Sequence, residues 1–309
     1  MKTLRPAASL LTVFGLIVAL IAPRPLAALE REVVISAWQG PCVDGDFAAN
    51  LATVRKVVQE ALERGSDFLA FPETFLSGYD TREKMLAGAR KVDDPEVASF
   101  IAESANHDMV IMVGLARKVG ADVFNTILVI QRGKLLGTYD KVMLTGGDRD
   151  QLKFKPGQDV PVFFAHGAHF AVVICHDTSF PFPGLLAKLR GAEILFTPHY
   201  NSINAQNVDD HRKVVRNSHV GLATLLKMIV VRSNVVVTDK AGEPGYGDSF
   251  IMSPQGEILA GAKLFRTELV TAKVGPEMFK LPYVWANFDE VPMWLKKAVA
   301  EELTKVKNP

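Results

Sequence analysis

An α/β fold with two sheets covered by helices is predicted by three features of the chain. Helical and strand patterns alternate in its first and last thirds, its middle is a run of strands, and strands outnumber helices. Two helix-covered sheets accommodate that combination. Of the 309 residues, 48% are hydrophobic and 22% charged, an ordinary globular composition that sets aside disorder, collagen-like repeats and coiled coil. No linker rich in Pro, Gly and Ser and no internal repeat divides residues 29–309, so one domain with a helical C-terminal tail is expected there.

The elements follow from local pattern. Glu32–Gln39 is β-branched and apolar and reads as a strand. Phe47–Arg64 places Leu51, Val54, Val57, Val58, Ala61 and Leu62 at helical spacing and stops at Gly65. Asp67–Phe71 is a short strand and Pro95–His107 a helix. Met109–Ala116, Val123–Gln131 and, after a tight turn at Gly133-Lys134, Leu135–Tyr139 form a meander. Residues 140–160 are polar and glycine-rich and read as a long loop, the kind that is often functional in a compact domain. Phe170–Ile174 is continuously apolar, as in a strand buried on both faces. A helix at about Gly184–Arg190, a strand at Glu193–Thr197, a helix at Asp209–Lys227 and a Val-rich strand at Met228–Asp239 follow. Ser249–Ser253 and Glu257–Ala260 flank the turn Pro254-Gln255-Gly256. Thr267–Val274 is the last strand, and the tail from Val291 is helical.

The first 28 residues are separate. Lys2 and Arg5 precede an apolar run from Ala7 to Ala22, then Pro23, Arg24 and Pro25 lead to Ala27 and Ala28. A basic start, an apolar stretch and a small-residue exit read as a secretory signal peptide, with an uncleaved anchor as the alternative. The expected address is periplasmic or extracellular, with no membrane contact in the mature form. Cleavage near Ala28 removes three cations and no acids, taking the net charge from +1 to −2. Export exposes thiols to oxidation. The two cysteines, Cys42 and Cys175, are able in principle to form one bridge, although a packed thiol at Cys42 is the preferred reading.

Near-balanced charge, 35 Lys+Arg against 34 Asp+Glu, gives no electrostatic reason to bind nucleic acid. HExxH, GxSxG, a Walker loop and a complete GxGxxG are all missing, which argues against zinc peptidases, α/β-hydrolases, P-loop NTPases and Rossmann enzymes. His166, His169 and His176 cluster around one predicted strand, but no carboxylate lies at a familiar ligand spacing from them. They read as loop and edge histidines, and no metal or other cofactor is expected.

Three segments carry chemistry. Phe71-Pro72-Glu73 puts a carboxylate just past an apolar strand, where open α/β sheets bind ligands. Tyr139-Asp140-Lys141-Val142-Met143-Leu144 puts a lysine at the mouth of the long loop, a cation suited to a developing oxyanion. Val172-Val173-Ile174-Cys175-His176-Asp177 puts a cysteine at a buried strand's end, entering a helix whose N-terminus favours the thiolate. Read singly, each has a plain structural explanation.

Taken in order, Glu73, Lys141 and Cys175 resemble the Glu-Lys-Cys triad of the nitrilase superfamily of carbon–nitrogen hydrolases. The resemblance runs from about Val33 to Val274. It includes Asp46 with Asn50, Ser66 to Glu73, Phe124-Asn125-Thr126, Phe154-Lys155-Pro156-Gly157, and Val231-Arg232-Ser233-Asn234 followed by Gly247 to Gly256. It implies a four-layer α-β-β-α sandwich, with members usually pairing through helices into an eight-layer dimer or assembling further. It assigns Glu73 as general base, Lys141 as the cation at the intermediate and Cys175 as nucleophile. A second acid of the family, counted back from Pro156-Gly157, falls close to Asp150. After the cysteine, amidase-like members often have an Arg and a Glu where this chain has Ser179 and Phe182, and His176-Asp177 departs from the Trp-Glu of true nitrilases.

The reaction implied is hydrolysis of a non-peptide amide or N-carbamoyl bond through a cysteine thioester, releasing ammonia. Acyl or carbamoyl transfer to an amine on the same triad, or a non-catalytic exported binding protein on this fold, are the competing readings. Tyr79, His176, His199 and Tyr200, each just past a predicted strand exit, are the candidates to face a small amide or ureido substrate.

Overall fold

A computed structural model describes residues 29–236, 243–280 and 288–306. The leader expected over residues 1–28 and the end of the strand expected to reach Asp239 fall outside the described residues.

The first sheet runs β5 (Lys134–Asp140), β4 (Asp122–Gln131), β3 (Val110–Val119), β2 (Phe68–Ala70) and β1 (Val33–Gly40), with β12 (Glu268–Val274) antiparallel to β1. The second runs β6 (Val162–Ala165), β7 (Ala168–Val172), β8 (Ile194–Pro198), β9 (Ile229–Val235), β10 (Phe250–Met252) and β11 (Ile258–Gly261). They join where β1 meets β9 in a two-residue parallel pairing, Gln39 with Asn234 and Gly40 with Val235. The hairpin β4–β5 turns on Arg132-Gly133 and the hairpin β6–β7 on His166-Gly167. Both residues of each turn have positive φ, the backbone that a two-residue hairpin between right-twisted strands demands.

The sheets face one another across a dry core. Phe68 of β2, Phe170 of β7 and Phe196 of β8 pack within 5.2–5.9 Å of each other, ring centre to ring centre, with Ile35, Val110 and Val231 in the same buried cluster. The outer face of the first sheet presents Leu69, Ile111, Val113, Leu128 and Ile130. Against it lie Leu51, Val54 and Val58 of α1 (Phe47–Glu63) and Phe100 and Ile101 of α3 (Pro95–Glu103). The outer face of the second sheet is covered by α4 (Pro181–Leu189) and α5 (Val208–Leu226), through Ala187, Leu222, Ala223 and Leu226. Helix, sheet, sheet, helix is the architecture anticipated from the sequence. The C-terminal helix α6 (Met293–Lys305) lies on the surface and buries no residue. Among the described residues no helix is long and apolar enough to cross a membrane.

Two elements lie where the sequence pattern gave no signal. Helix α2 (Arg82–Gly88) buries only Met85 and Gly88, too few apolar positions for a visible period. Strand β6 is only four residues of edge strand. The expected loop over 140–160 contains one π-helical turn, Gly147–Leu152.

Strands β2, β7 and β8 end at the same rim, and there the chain is tightly packed. Gly114 of β3 lies under the turn after β2, where a Cβ would sit 2.3 Å from Thr74 N and 2.5 Å from Pro72 O. Both are backbone atoms, so the clash has no rotamer to relieve it. Gly114→Ala is expected to destabilise the protein by about 1–3 kcal/mol, the usual cost of overpacking, and to displace Glu73. Urea unfolding checks the first effect, and an unchanged midpoint would contradict the close packing described.

Candidate active site

Glu73 is fully buried in the turn after β2. Its Oε1 accepts from Lys141 Nζ at 2.7 Å and from Asn125 Nδ2 at 2.7 Å, and its Oε2 accepts from the backbone N–H of Tyr200 at 2.9 Å. A carboxylate so enclosed survives burial because its lone pairs are bonded. The turn is held from both sides, by Glu73 N donating to His199 O at 3.2 Å and Ser233 Oγ donating to Phe71 O at 2.9 Å.

Lys141 is equally buried, just past β5. Its backbone N–H donates to Asn125 O and its carbonyl accepts from Gly157 N at 2.8 Å. Gly157 is required here because a Cβ would lie 2.1 Å from Asp140 O. The Phe-Asn-Thr and Phe-Lys-Pro-Gly segments therefore have a shared physical role: they fix the lysine's backbone. Its ammonium lies between two carboxylates, Glu73 at 2.7 Å and Asp148 at 2.9 Å. Burial opposes its charge, but Glu73 leads the nearby negative groups that outweigh burial and hold its pKa well above the ordinary lysine range.

The second acid is thus Asp148, and Asp150, the position counted from Pro156-Gly157, is exposed. Both acids lie in the π-helical turn Gly147–Leu152, whose buried residues are Asp148 and Leu152. Asp148 is buried, accepts from Thr145 N and Thr145 Oγ1 at 2.8 and 2.9 Å, and accepts from Tyr79 OH at 2.5 Å. Burial alone would raise its pKa, but the Lys141 charge and these donors bring it below the usual carboxylate range.

Cys175 follows β7 and is half-buried, with φ at +46°, a left-handed conformation that costs a non-glycine residue about 1–2 kcal/mol. Asp177, fully buried, holds the turn in place. It accepts from Ile174 N at 2.7 Å, Met143 N at 2.7 Å and Tyr139 OH at 2.6 Å, so the nucleophile's turn is bonded to the segment carrying Lys141. Burial pushes Asp177 up to about 6 even against these donors. The helix that Cys175 enters is a single 3-10 turn, Cys175–Ser179, with α4 beginning only at Pro181. The expected lowering of the thiol by a helix N-terminus does not occur. Burial, then the negative charge of the Glu73 carboxylate, push the thiol up.

The remaining candidates divide. Tyr79 belongs to the site through Asp148, and its ring lies 5.8 Å from Lys141 Nζ. His176 is half-buried, packs edge-on to Phe180, and is kept below the ordinary histidine pKa by burial and then by Lys141. His199 is fully buried behind Glu73, with Nδ1 bonded to Thr197 O at 2.7 Å and its ring against His219. Tyr200 reaches Glu73 by its backbone, while its hydroxyl donates to Asp44 at 3.0 Å. Neither of these two side chains faces the sulfur, because both are anchored into the walls. Asn201, which sequence reading passed over, does face it, with Nδ2 3.6 Å from Cys175 Sγ. Cys42 is buried in the outer cluster, its thiol donating to Phe75 O at 3.2 Å, and it is not bridged to Cys175. His166 bonds Arg31 and Asp108 O, and His169 packs on Phe164. Among the described residues no group of three His, Cys, Asp or Glu side chains is placed to hold a metal ion.

The sequence profile of the carbon–nitrogen hydrolase family matches residues 34–283, and the chain belongs to that family, within the nitrilase superfamily. It is therefore a hydrolase of the class that acts on non-peptide carbon–nitrogen bonds. It is 30% identical over 269 residues to an N-carbamoylputrescine amidase of Arabidopsis thaliana, covering 81% of this chain and 89% of that one. It is 26% identical to a nitrilase of Pyrococcus abyssi, covering 73% and 83% respectively. The fold is similar to Saccharomyces cerevisiae Nit3, with a TM-score of 0.69 at 20% identity over 82% of this chain and 93% of that one. It is similar also to an amidase of Nesterenkonia sp. AN1, with a TM-score of 0.68 at 18% identity over 89% and 98%. That amidase variant carries the acetamide moiety of fluoroacetamide on its active-site cysteine.

The two acids of the loop separate by experiment. Asp148→Asn leaves Lys141 with one carboxylate and weakens Tyr79's acceptor. It is expected to lower the thermal midpoint and the turnover rate, the latter by roughly tenfold to a hundredfold, as for loss of a charged hydrogen bond. Asp150→Asn should leave both unchanged. Equal effects of the two substitutions in parallel melting and rate measurements would refute the assignment.

Proposed function

We propose that this protein hydrolyses the carbon–nitrogen bond of a small amide or N-carbamoyl compound through a thioester on Cys175, releasing ammonia. The observation that carries the reading is the buried Glu73–Lys141 ion pair, 2.7 Å from oxygen to nitrogen, whose two charges both act on the Cys175 thiol. The similarity to an N-carbamoylputrescine amidase and to a structurally characterised amidase supports the substrate class.

The reaction starts from the protonated thiol that burial favours. Glu73 takes the Cys175 proton as sulfur bonds to the substrate carbonyl carbon. The carbonyl electron pair moves to oxygen, and Lys141 with the backbone N–H of His176 stabilises that oxyanion. Collapse breaks the carbon–nitrogen bond while Glu73 returns the proton to the departing nitrogen. Water then attacks the thioester, giving a proton to Glu73. The second collapse breaks the carbon–sulfur bond, and the proton returns to sulfur. Asp148 acts through Lys141, fixing the ammonium against Glu73.

The expected assembly is a dimer paired through helices. Support comes from apolar side chains left exposed on the outer layer, Phe182, Leu186 and Leu189 along α4 and Val214 and Leu225 along α5. In each helix they recur on one face. Sedimentation equilibrium should give a dimer, and Leu189→Glu with Leu225→Glu should weaken it. A monomer for the unaltered protein would overturn this pairing.

Ammonia release from aliphatic amides, ω-amides, N-carbamoyl compounds and nitriles tests the chemistry. Release is expected from the first three classes at most, to be abolished in Cys175→Ala and lowered roughly 10²–10³-fold in Lys141→Met, as when an oxyanion donor is removed. Turnover retained by Cys175→Ala would refute the thioester.

A further inference from the structure

Asn201 and Arg232 form a second polar wall at the sulfur that the triad leaves without a role. Arg232 of β9 is fully buried. Its NH1 donates to the carbonyls of Gly247 and Asp248 at 2.7 and 2.6 Å, and its NH2 donates to Asn201 Oδ1 at 2.7 Å. Among the described residues its Nε has no partner. The side chain of Asp248 pairs with Arg212 and Arg216 instead. A buried guanidinium without a carboxylate is costly, and its field favours negative charge nearby.

The arginine also settles the orientation of the amide. A guanidinium carries only donors, so the atom of Asn201 facing it must be the oxygen. Tyr246 OH, 3.4 Å from the same oxygen, agrees. The other end of the amide, Nδ2, is thereby obliged to present its hydrogens to Cys175 Sγ, 3.6 Å away. The Asn201 backbone is fixed in turn, its N–H donating to Asn234 Oδ1 at 2.8 Å. The amide cannot flip without setting its NH2 against the guanidinium.

We infer that Asn201 is a further catalytic residue, donating a hydrogen bond to the Cys175 sulfur, and that Arg232 is a positioning residue that fixes and polarises that donor. The inference deepens the proposed thioester reaction. Sulfur carries developing negative charge twice, as its proton leaves for Glu73 during attack and again as the carbon–sulfur bond breaks. Glu73 offers the sulfur a carboxylate, which opposes that charge, and Lys141 is engaged with Glu73 and Asp148. A donor backed by a cation on the other side is what a buried thiol of raised pKa needs. Nothing changes in the proton balance, since Asn201 donates a hydrogen bond and transfers no proton.

Alkylation of Cys175 by iodoacetamide reads the effect without any substrate. The second-order rate is measured between pH 6 and 10 in the full-length protein, in Asn201→Leu, which keeps the size and removes the donor, and in Arg232→Lys. Cys42 alkylation is separated by peptide mass. The Leu variant is expected to alkylate at Cys175 about 10- to 100-fold more slowly at a given pH, the loss of one hydrogen bond to a charged group. Its kcat should fall by a similar factor with KM little changed, since the bond strengthens only as charge develops. Arg232→Lys, which loses the fork but keeps a cation, should show a smaller slowing of the same kind. Should Asn201→Leu fail to fold, Asn201→Ala supplies the same reading. A folded variant with native melting that alkylates at the unaltered rate and pH profile would overturn the inference. A shifted profile in a protein that releases no ammonia from any substrate would leave it standing and count against the hydrolase reading alone.

Discussion

The structure is organised around one buried ammonium. Lys141 has no solvent contact and lies between Glu73 and Asp148 at 2.7 and 2.9 Å. Removing three charges from water costs several kcal/mol per ion, recovered only where every lone pair finds a donor. The donors come from across the chain: Asn125 of β4, the Tyr200 N–H after β8, Tyr79 after the turn that carries Glu73, and Thr145 in the long loop. No single element is able to supply them. The facing sheets do so because β2, β5, β7 and β8 deliver their ends to one place, and the apolar core between Phe68, Phe170 and Phe196 fixes how those ends meet.

Convergence of strand ends demands tight turns, and the backbone there is strained. Thr74, next to Glu73, has φ at +45° and Cys175 has φ at +46°. Such strain persists only where the surroundings over-determine it. At Cys175 the over-determination is a single carboxylate. Asp177 ties Ile174 N on the nucleophile's side to Met143 N and Tyr139 OH on the lysine's side. The pKa of about 6 shows the cost of burying this group. In sign, a carboxyl raised in the folded state holds its proton where the unfolded chain has released it. It therefore subtracts stability as pH rises from about 4 to about 6 and by a constant amount above. The spacing between sulfur and ammonium is secured in spite of that penalty.

How much of this was legible depends on whether a residue's position is set by the chain near it. Glu73, Lys141 and Cys175 each follow an apolar strand, and an apolar run is visible in sequence, so their place at the rim could be read. Asn125 and Gly157 lay within motifs whose purpose appeared only when they were seen bonding the backbone of Lys141 on either side. Asp150 was reached by counting back from Pro156-Gly157, and spacing along the chain does not show that the turn Gly147–Leu152 buries Asp148 instead. His199 and Tyr200 were placed correctly at a strand exit, but which way each side chain turns is decided by Thr197 O and Asp44, partners that local pattern does not reveal. Arg232 reads in sequence as part of a strand and of a segment that resembles the family, with nothing to show what its charge faces. Only the fold shows that its charge stands one amide away from the nucleophile.

The thiol's environment has a consequence for how the site rests between turnovers. A cysteine at the start of a long helix would be a standing thiolate, nucleophilic and open to oxidation. Here the helix after Cys175 is one 3-10 turn, the thiol is half-buried, and the negative charge of Glu73 acts on it. Each of these favours the protonated form. The anion is then formed only when its charge has somewhere to go, which in the proposed reaction is the carbonyl carbon of a bound substrate. Glu73 receives the proton against the field of Lys141, and the polar wall of Asn201 and Arg232 takes the charge left on sulfur. Such a site holds its nucleophile in reserve as a thiol, and the same burial that makes the anion costly in the empty site limits its exposure to oxidants.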